Sequence, residues 1–504
     1  MTFYSPDNLK SILGGTWLAR ADVGPPRIGE GLSTDSRAIK PGQVFLALRG
    51  ERTDGHNYLD QIALKHAALA IVDRPDCLKK PDGTALDMRE TAVLLVADTG
   101  QALLRLAAAW RQSLEGTKVI AIGGSNGKTT TTRLVESVLS RTLRGTASQK
   151  SFNNAVGVPL TILAAKRGDQ FLICEVGTNA PGEIAMLADV VKPDIAVITS
   201  VGREHLEGLG SLRGVAVEEA SLCAALEPGG TAIINADALF LTEAVRSLAS
   251  PAKPGAKPRF NIVRFGIADD AELRVTDVEL SPEGAAFKIN GREAFRVPLS
   301  GRHNAMNAAA AAAVGRRMGI SSENIELGLA IARGPEMRLE RVEVGGIRII
   351  NDAYNANPDS MLAALDTFEC LSRGATRRWV VLADMLELGE SGPDLHREIG
   401  DAVLTCGADH AVLVGPLMMF AAERVSKRWP PERITLLPDA APENSRAIAA
   451  LLRPGDAVLL KGSRGMGLER ALAAVRERFA TFTPANAPVS SVVAEPKPRP
   501  TLSH

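Results

Sequence analysis

The chain has 504 residues, of which 45% are hydrophobic, 23% charged and 4% aromatic, enough for about three domains with cores of their own. Its 58 Lys and Arg balance its 58 Asp and Glu, so no global field exists to hold nucleic acid or an anionic membrane, and any anion is bound locally. The five scattered cysteines lack C-x-x-C spacing, which argues against a zinc module or disulfide scaffold. The start has no secretory pattern and no apolar run is long enough to insert into a bilayer, so we expect a cytoplasmic protein.

Residues 1–112 alternate short apolar runs (44–48, 68–72 and 93–96) with helical stretches (58–64 and 101–114), which predicts a small α/β domain. Its polar cluster around Asp35, Ser36 and Arg37, followed by Asp54 and His56, is either turn chemistry or part of a site.

A β-rich run at 119–123 then meets Gly124, Ser125, Asn126, Gly127, Lys128, Thr129 and Thr130, which open an amphipathic stretch. That order predicts strand, phosphate loop, helix. Glycines let backbone N–H groups curl round phosphate oxygens, the helix adds its positive end, Lys128 a point charge and Thr129 a hydroxyl for Mg2+. The spacing is the shorter G-x-x-G-K-T, without the glycine that the common phosphate loop has five residues before Gly127.

Next come Asn153 and Asn154, then a buried strand at 171–174 that ends on Glu175. A carboxylate at the C-terminal end of a parallel strand faces the ligand crevice, so Glu175 is a metal candidate or a solvated strand-end acid. His205 follows the next strand, 195–199, to the same edge. Asn304 and Asn307 open an Ala-rich helix on one face, for a base edge or merely as a cap. A third unit begins near Gly334 and repeats strand, loop and helix through 347–350, 379–383, 411–414 and 457–461, which predicts another doubly wound sheet facing the phosphate site. From Thr483 prolines replace apolar periodicity, and a disordered tail is expected over 483–504.

Taken together, the phosphate loop and four strings, 151–159, 351–360, 384–390 and 461–466, resemble the ATP-dependent Mur amino-acid ligases of peptidoglycan assembly over nearly the whole chain. The best match within the family is the branch that joins D-alanyl-D-alanine to UDP-N-acetylmuramoyl-tripeptide. The Asp-Asn-Pro-Arg signature of the diaminopimelate or lysine ligase is missing, and Gly-Lys-Thr-Thr at 127–130 replaces the Gly-Lys-Gly-Ser of folylpolyglutamate synthetases.

The resemblance implies an α/β fold of three domains: a small UDP-substrate-binding α/β domain (1–112), a central phosphate-loop ATPase-like parallel-sheet domain (113–332) and a C-terminal Rossmann-like domain (333–482). It implies ATP and Mg2+ as cofactors and an acyl phosphate as intermediate; a monomer is expected, though the sequence itself is silent on oligomeric state. Ser36 and Arg37 become uridine-diphosphate candidates, and Asn153 and Asn154 contacts of the muramyl or peptide part. Lys128, Thr129 and Glu175 would serve ATP with a first Mg2+, and His205 a second. Arg338 would reach ATP from the last domain, Asp352 would contact ribose or water, and Asn304, Asn307 and Asn355 would neighbour adenine or ribose. The site should then assemble only when the domains close.

One position departs from the family. Glu219 stands where the usual lysine is carbamylated to support the second Mg2+, keeping the charge but not the reach. Either Glu219 replaces the carbamate, and activity needs no dissolved carbon dioxide, or Glu218 and Glu219 form a solvated face. A catalytically impaired sensor of UDP-muramyl peptide or ATP, another Mur-type ligase and an acceptor-free NTPase are the alternatives.

Overall fold

The computed structural model describes residues 3–20, 31–50, 53–79, 82–250 and 258–480. The proline-rich tail expected from Thr483 lies outside them. Three sheets follow one another along the chain.

The first has five strands in the order Thr16–Ala19, Ala92–Leu95, Leu69–Val72, Val44–Leu46, Leu32–Ser33, parallel except for the antiparallel edge strand Thr16–Ala19. Helix Thr99–Gln112 leads out of it and packs on helix Gly157–Ala164, where the Trp110 indole donates to the Ala165 carbonyl at 2.9 Å.

The second sheet has nine strands. Its first strand in sequence, Lys118–Gly123, lies between Phe171–Glu175 and Ile195–Ile198, so the chain winds away from it in both directions and leaves a crevice beyond its C-terminal end. Alternate residues of this strand serve opposite cores: Ile120 and Ile122 face helices Lys128–Leu139 and Arg302–Arg317, while Val119 and Ala121 face the other layer. The six alanines 308–313 are buried, and their small side chains let helix Arg302–Arg317 lie close against helix Lys128–Leu139. The sheet is mixed, since Leu273–Ser281, Gly284–Ile289 and Glu293–Val297 extend it as an antiparallel meander. These strands alternate exposed and buried residues on a one-sided surface.

The third sheet has six strands, ordered Glu340–Val344, Ile347–Asp352, Ala457–Lys461, Arg378–Ala383, His410–Val414, Ile434–Leu437, parallel but for the first. Helix Pro358–Leu371 follows its second strand and starts at a capping box, Asn357 with Ser360. No described helix is long and apolar enough to cross a membrane.

Candidate active site

The phosphate loop is built on two glycines whose conformations other residues rarely adopt. Gly124 has φ +117° and a Cβ there would sit 2.2 Å from Thr199 Oγ1; Gly127 has φ +89° and a Cβ would sit 2.4 Å from Asn307 Oδ1. Ser200 pins the loop from the next strand, its carbonyl accepting from Ser125 N–H at 3.0 Å and its hydroxyl from Asn126 N–H at 2.8 Å. Gly127 caps helix Lys128–Leu139, which aims its free N–H groups into the crevice.

Lys128 Nζ donates to the carbonyls of Gly124 at 2.5 Å and Ser125 at 3.3 Å, with Glu204 4.0 Å away. Burial works against the ammonium, but the carboxylates of Glu204, Glu219 and Glu175 outweigh it and raise its pKa. Glu175 is fully buried at the end of its strand. Its Oε1 accepts from the Thr129 hydroxyl at 3.1 Å and from Asn153 at 2.9 Å, whereas Oε2 is buried without a partner. Burial raises its pKa, and Arg338 and Lys128 oppose the rise.

A cavity of about 570 Å3 lies above this loop, between the second and third sheets. From the central unit Ser125, Asn126, Gly127, Lys128, Thr130, Asn153, Asn154, His205, Asn304 and Asn307 line it; from the last unit come Arg338, Asp352 and Asn355. Gly124, Thr129, Glu175 and Glu219 are buried beneath the loop, outside this lining.

Several of these groups have local duties. Asn154 Oδ1 accepts from Gly157 N–H at 2.9 Å, and Asn307 Nδ2 donates to Asn304 Oδ1 at 3.1 Å, so the two asparagines do share a face. Asp352 takes the Lys461 ammonium at 2.7 Å and the Leu339 N–H at 3.1 Å. Arg338 stacks on Tyr354 at 4.4 Å and is flanked by Met337 at φ +57° and Leu339 at φ +49°. Two left-handed non-glycine residues around one arginine mark strained backbone that presents it.

Ser36 and Arg37 lie in the first unit, away from the cavity lining. Their carbonyls receive the Lys65 ammonium at 2.9 and 2.7 Å, and Arg37 pairs with Asp35 at 2.8 Å.

Glu219 is buried and its Oε2 accepts from Gly124 N–H at 2.6 Å. Burial pushes its pKa up to about 8. Glu218 is buried too and takes the N–H groups of Gly182 and Ile184 at the start of helix Glu183–Val191, so neither acid belongs to a solvated face. Among the described residues no three His, Cys, Asp or Glu side chains gather as a ready cation cage.

Several residues escaped the sequence reading, Glu204 and Glu387 among them. Glu204 is buried and lies 4.0 Å from both Lys128 and His205; burial raises its pKa, and Lys128 opposes that. Its adjacency to His205 was the available signal. Glu387, from the loop after strand Arg378–Ala383, meets His205 Nδ1 at 2.5 Å. No local pattern could bring those two together across the fold.

A phosphate loop and an arginine presented by strained backbone at the entry to the third sheet, facing each other over one cavity, define a nucleotide-dependent enzyme whose site is shared between two units. Family models match three segments: the Mur ligase family catalytic domain at 30–111, the Mur ligase middle domain at 122–315 and the Mur ligase glutamate ligase domain at 337–464. The UDP-N-acetylmuramoyl-tripeptide--D-alanyl-D-alanine ligase of Bacillus subtilis is 36% identical over 441 residues, covering 87% of this chain and 91% of the relative. That of Synechocystis is 32% identical over 447 residues, covering 87% and 90%. The crystal structure of MurF from Acinetobacter baumannii superposes with a TM-score of 0.79 at 30% identity, covering 94% of this chain and 99% of that one. The chain belongs to the Mur ligase family.

Proposed function

We propose that the chain is an ATP-dependent ligase that joins D-alanyl-D-alanine to UDP-N-acetylmuramoyl-tripeptide, giving the UDP-muramyl pentapeptide of peptidoglycan synthesis. The observation that carries this reading is the opposition of Lys128 and Arg338 across one cavity, in a chain whose relatives bear that activity over nearly their whole length.

The chemistry sets what the residues must do. A peptide carboxylate oxygen attacks the γ-phosphorus of ATP and ADP leaves; the dipeptide amine then attacks the acyl carbon, phosphate leaves and the amine loses its proton. Two anions meet in the first step, so fixed positive charge is required. Lys128, the N-terminus of helix Lys128–Leu139 and Arg338 supply it. In this reading residues 1–112 hold the uridine end through Ser36 and Arg37, residues 113–332 hold ATP, and residues 333–482 hold the dipeptide. Asn304, Asn307, Asp352 and Asn355 surround the nucleotide, and Asn153 and Asn154 face the muramyl peptide.

The orphaned Glu175 Oε2 beside the Thr129 hydroxyl suits a magnesium ion, a hard cation that takes one or two protein oxygens and completes its shell from phosphates and water. When bound, it would neutralise phosphate charge. His205 is the candidate for a second ion.

The test is incubation with ATP, magnesium, UDP-muramyl-tripeptide and D-alanyl-D-alanine, following ADP and the mass of the nucleotide product while each component is left out in turn. ADP and pentapeptide appearing only in the full mixture are expected. ATP bound but never consumed would overturn the reading in favour of a sensor.

A further inference from the structure

The loop of residues 200–205 is gripped at both ends by different units. At one end Ser200 holds the phosphate loop, and Gly202 N–H donates to Ser125 Oγ at 2.8 Å. At the other end every nitrogen of Arg203 donates to the last unit. Its backbone N–H donates to Asp359 Oδ2 at 2.6 Å, and Nε and Nη2 donate to Asp359 Oδ1 at 2.9 and 2.7 Å. Nη1 and Nη2 reach Glu398 at 2.6 and 3.3 Å. A planar guanidinium holds two carboxylates through a fixed fork of donors, where an ammonium offers a point charge with fewer of them.

Neither Arg203 nor Glu398 lines the cavity. Both acids stand on helices of the last unit, Asp359 in the first turn of Pro358–Leu371 and Glu398 within Gly392–Val403. Nearby, Asn357 Nδ2 donates to Asn126 Oδ1 at 3.0 Å, directly joining the helix cap to the phosphate loop. The bridge is only partly exposed, with 27% of the Arg203 side-chain surface accessible against 37% and 41% for its partners.

We propose that Arg203 is a positioning residue: its bridge to Asp359 and Glu398 holds the last unit closed over the phosphate loop, so that closure and the shape of that loop are coupled through residues 200–205. The inference rests on the ligase reading for its kinetic consequence but not for its geometry. A closed site delivers Arg338 to the nucleotide and keeps water from the activated carboxylate. Without the bridge, the competent closed state is less populated and turnover falls by that fraction.

The experiment compares wild type with Arg203→Ala, Arg203→Lys, Glu398→Ala and the double variant Arg203→Ala/Glu398→Ala, in the full chain. Rate constants are measured for each substrate, ADP is counted against amide, and small-angle X-ray scattering is recorded with a non-hydrolysable ATP analogue. Arg203→Ala should lower kcat roughly tenfold, leave KM for the UDP substrate unchanged, release ADP in excess of amide and enlarge the radius of gyration. Arg203→Lys should recover part of the loss. Glu398→Ala should act in the same direction, with the double variant no worse than Arg203→Ala.

Wild-type kcat, stoichiometry and radius in Arg203→Ala would overturn the proposal. If Arg203→Ala fails to fold, Glu398→Ala decides by the same readouts. A wild type that makes no amide refutes the ligase reading, and the scattering comparison then judges the bridge alone.

Discussion

Glu219 and Gly124 are joined by a 2.6 Å hydrogen bond in which the backbone N–H of the phosphate loop donates to a buried carboxylate from a helix 95 residues further on. Glu219 thus supports the loop from below.

Its ionisation should be visible in stability. The group titrates near 4.5 when unfolded and at about 8 when folded, because burial penalises the charge. The folded state holds the extra proton between those values, so this group's contribution is full below pH 4.5 and is lost as pH rises through 8. Glu219→Gln keeps an acceptor for Gly124 and cannot ionise. Its melting temperature should therefore gain on wild type as pH rises from 5 to 8.5; a gap that stays constant would count against the assignment. Since no lysine stands at position 219 to be carbamylated, activity should also be unchanged in bicarbonate-free buffer.

His205 and Glu387 offer a second test. The carboxylate meets Nδ1 at 2.5 Å and so fixes the ring with Nε2 towards Glu204. Glu387→Ala frees the ring, and activity should fall on the order of tenfold or more. Because Glu387 is largely exposed, the melting temperature should barely move. A drop in melting temperature with unaltered activity would show that the contact is structural only.

Gly127→Ala should damage both fold and nucleotide binding. The residue sits at φ +89°, and the added methyl would lie 2.4 Å from Asn307 Oδ1. Strain of this kind costs about 1–3 kcal/mol, read as a lower melting temperature in thermal denaturation. ATP affinity measured by calorimetry should fall with it, since the N–H groups that cradle phosphate are displaced.

The strand, loop and helix of 118–139 were legible because local chemistry dictates them: an apolar β-branched run, positive-φ glycines and Lys-Thr at the helix start. Glu175 was legible from its place at a strand end, and Asn304 with Asn307 from helical spacing. The antiparallel meander 273–297 was not recognised, because the alternation of its first strand is interrupted by a register shift between Thr276 and Glu279. Arg203, Glu204 and Glu387 were missed for a different reason. Their partners lie across two sheets, and periodicity carries no information about contacts between units.

Glu175 provides the prediction that separates function from stability. Its carboxylate is fully buried, with Oε1 satisfied by Thr129 and Asn153 and Oε2 left without a partner. Burying such a charge is unfavourable, and Lys128 and Arg338 offset it only in part. Glu175→Gln retains an oxygen for Thr129 and removes the charge, so the variant should melt no lower than wild type. A magnesium ion, if held at Thr129 and Glu175 as proposed, would need that charge, however. The half-saturating magnesium concentration should rise roughly tenfold and kcat fall on the order of a hundredfold. Titrating magnesium after chelation, in wild type and variant side by side, measures both. An unchanged magnesium response together with a lower melting temperature would assign Glu175 to structure and move the ion elsewhere.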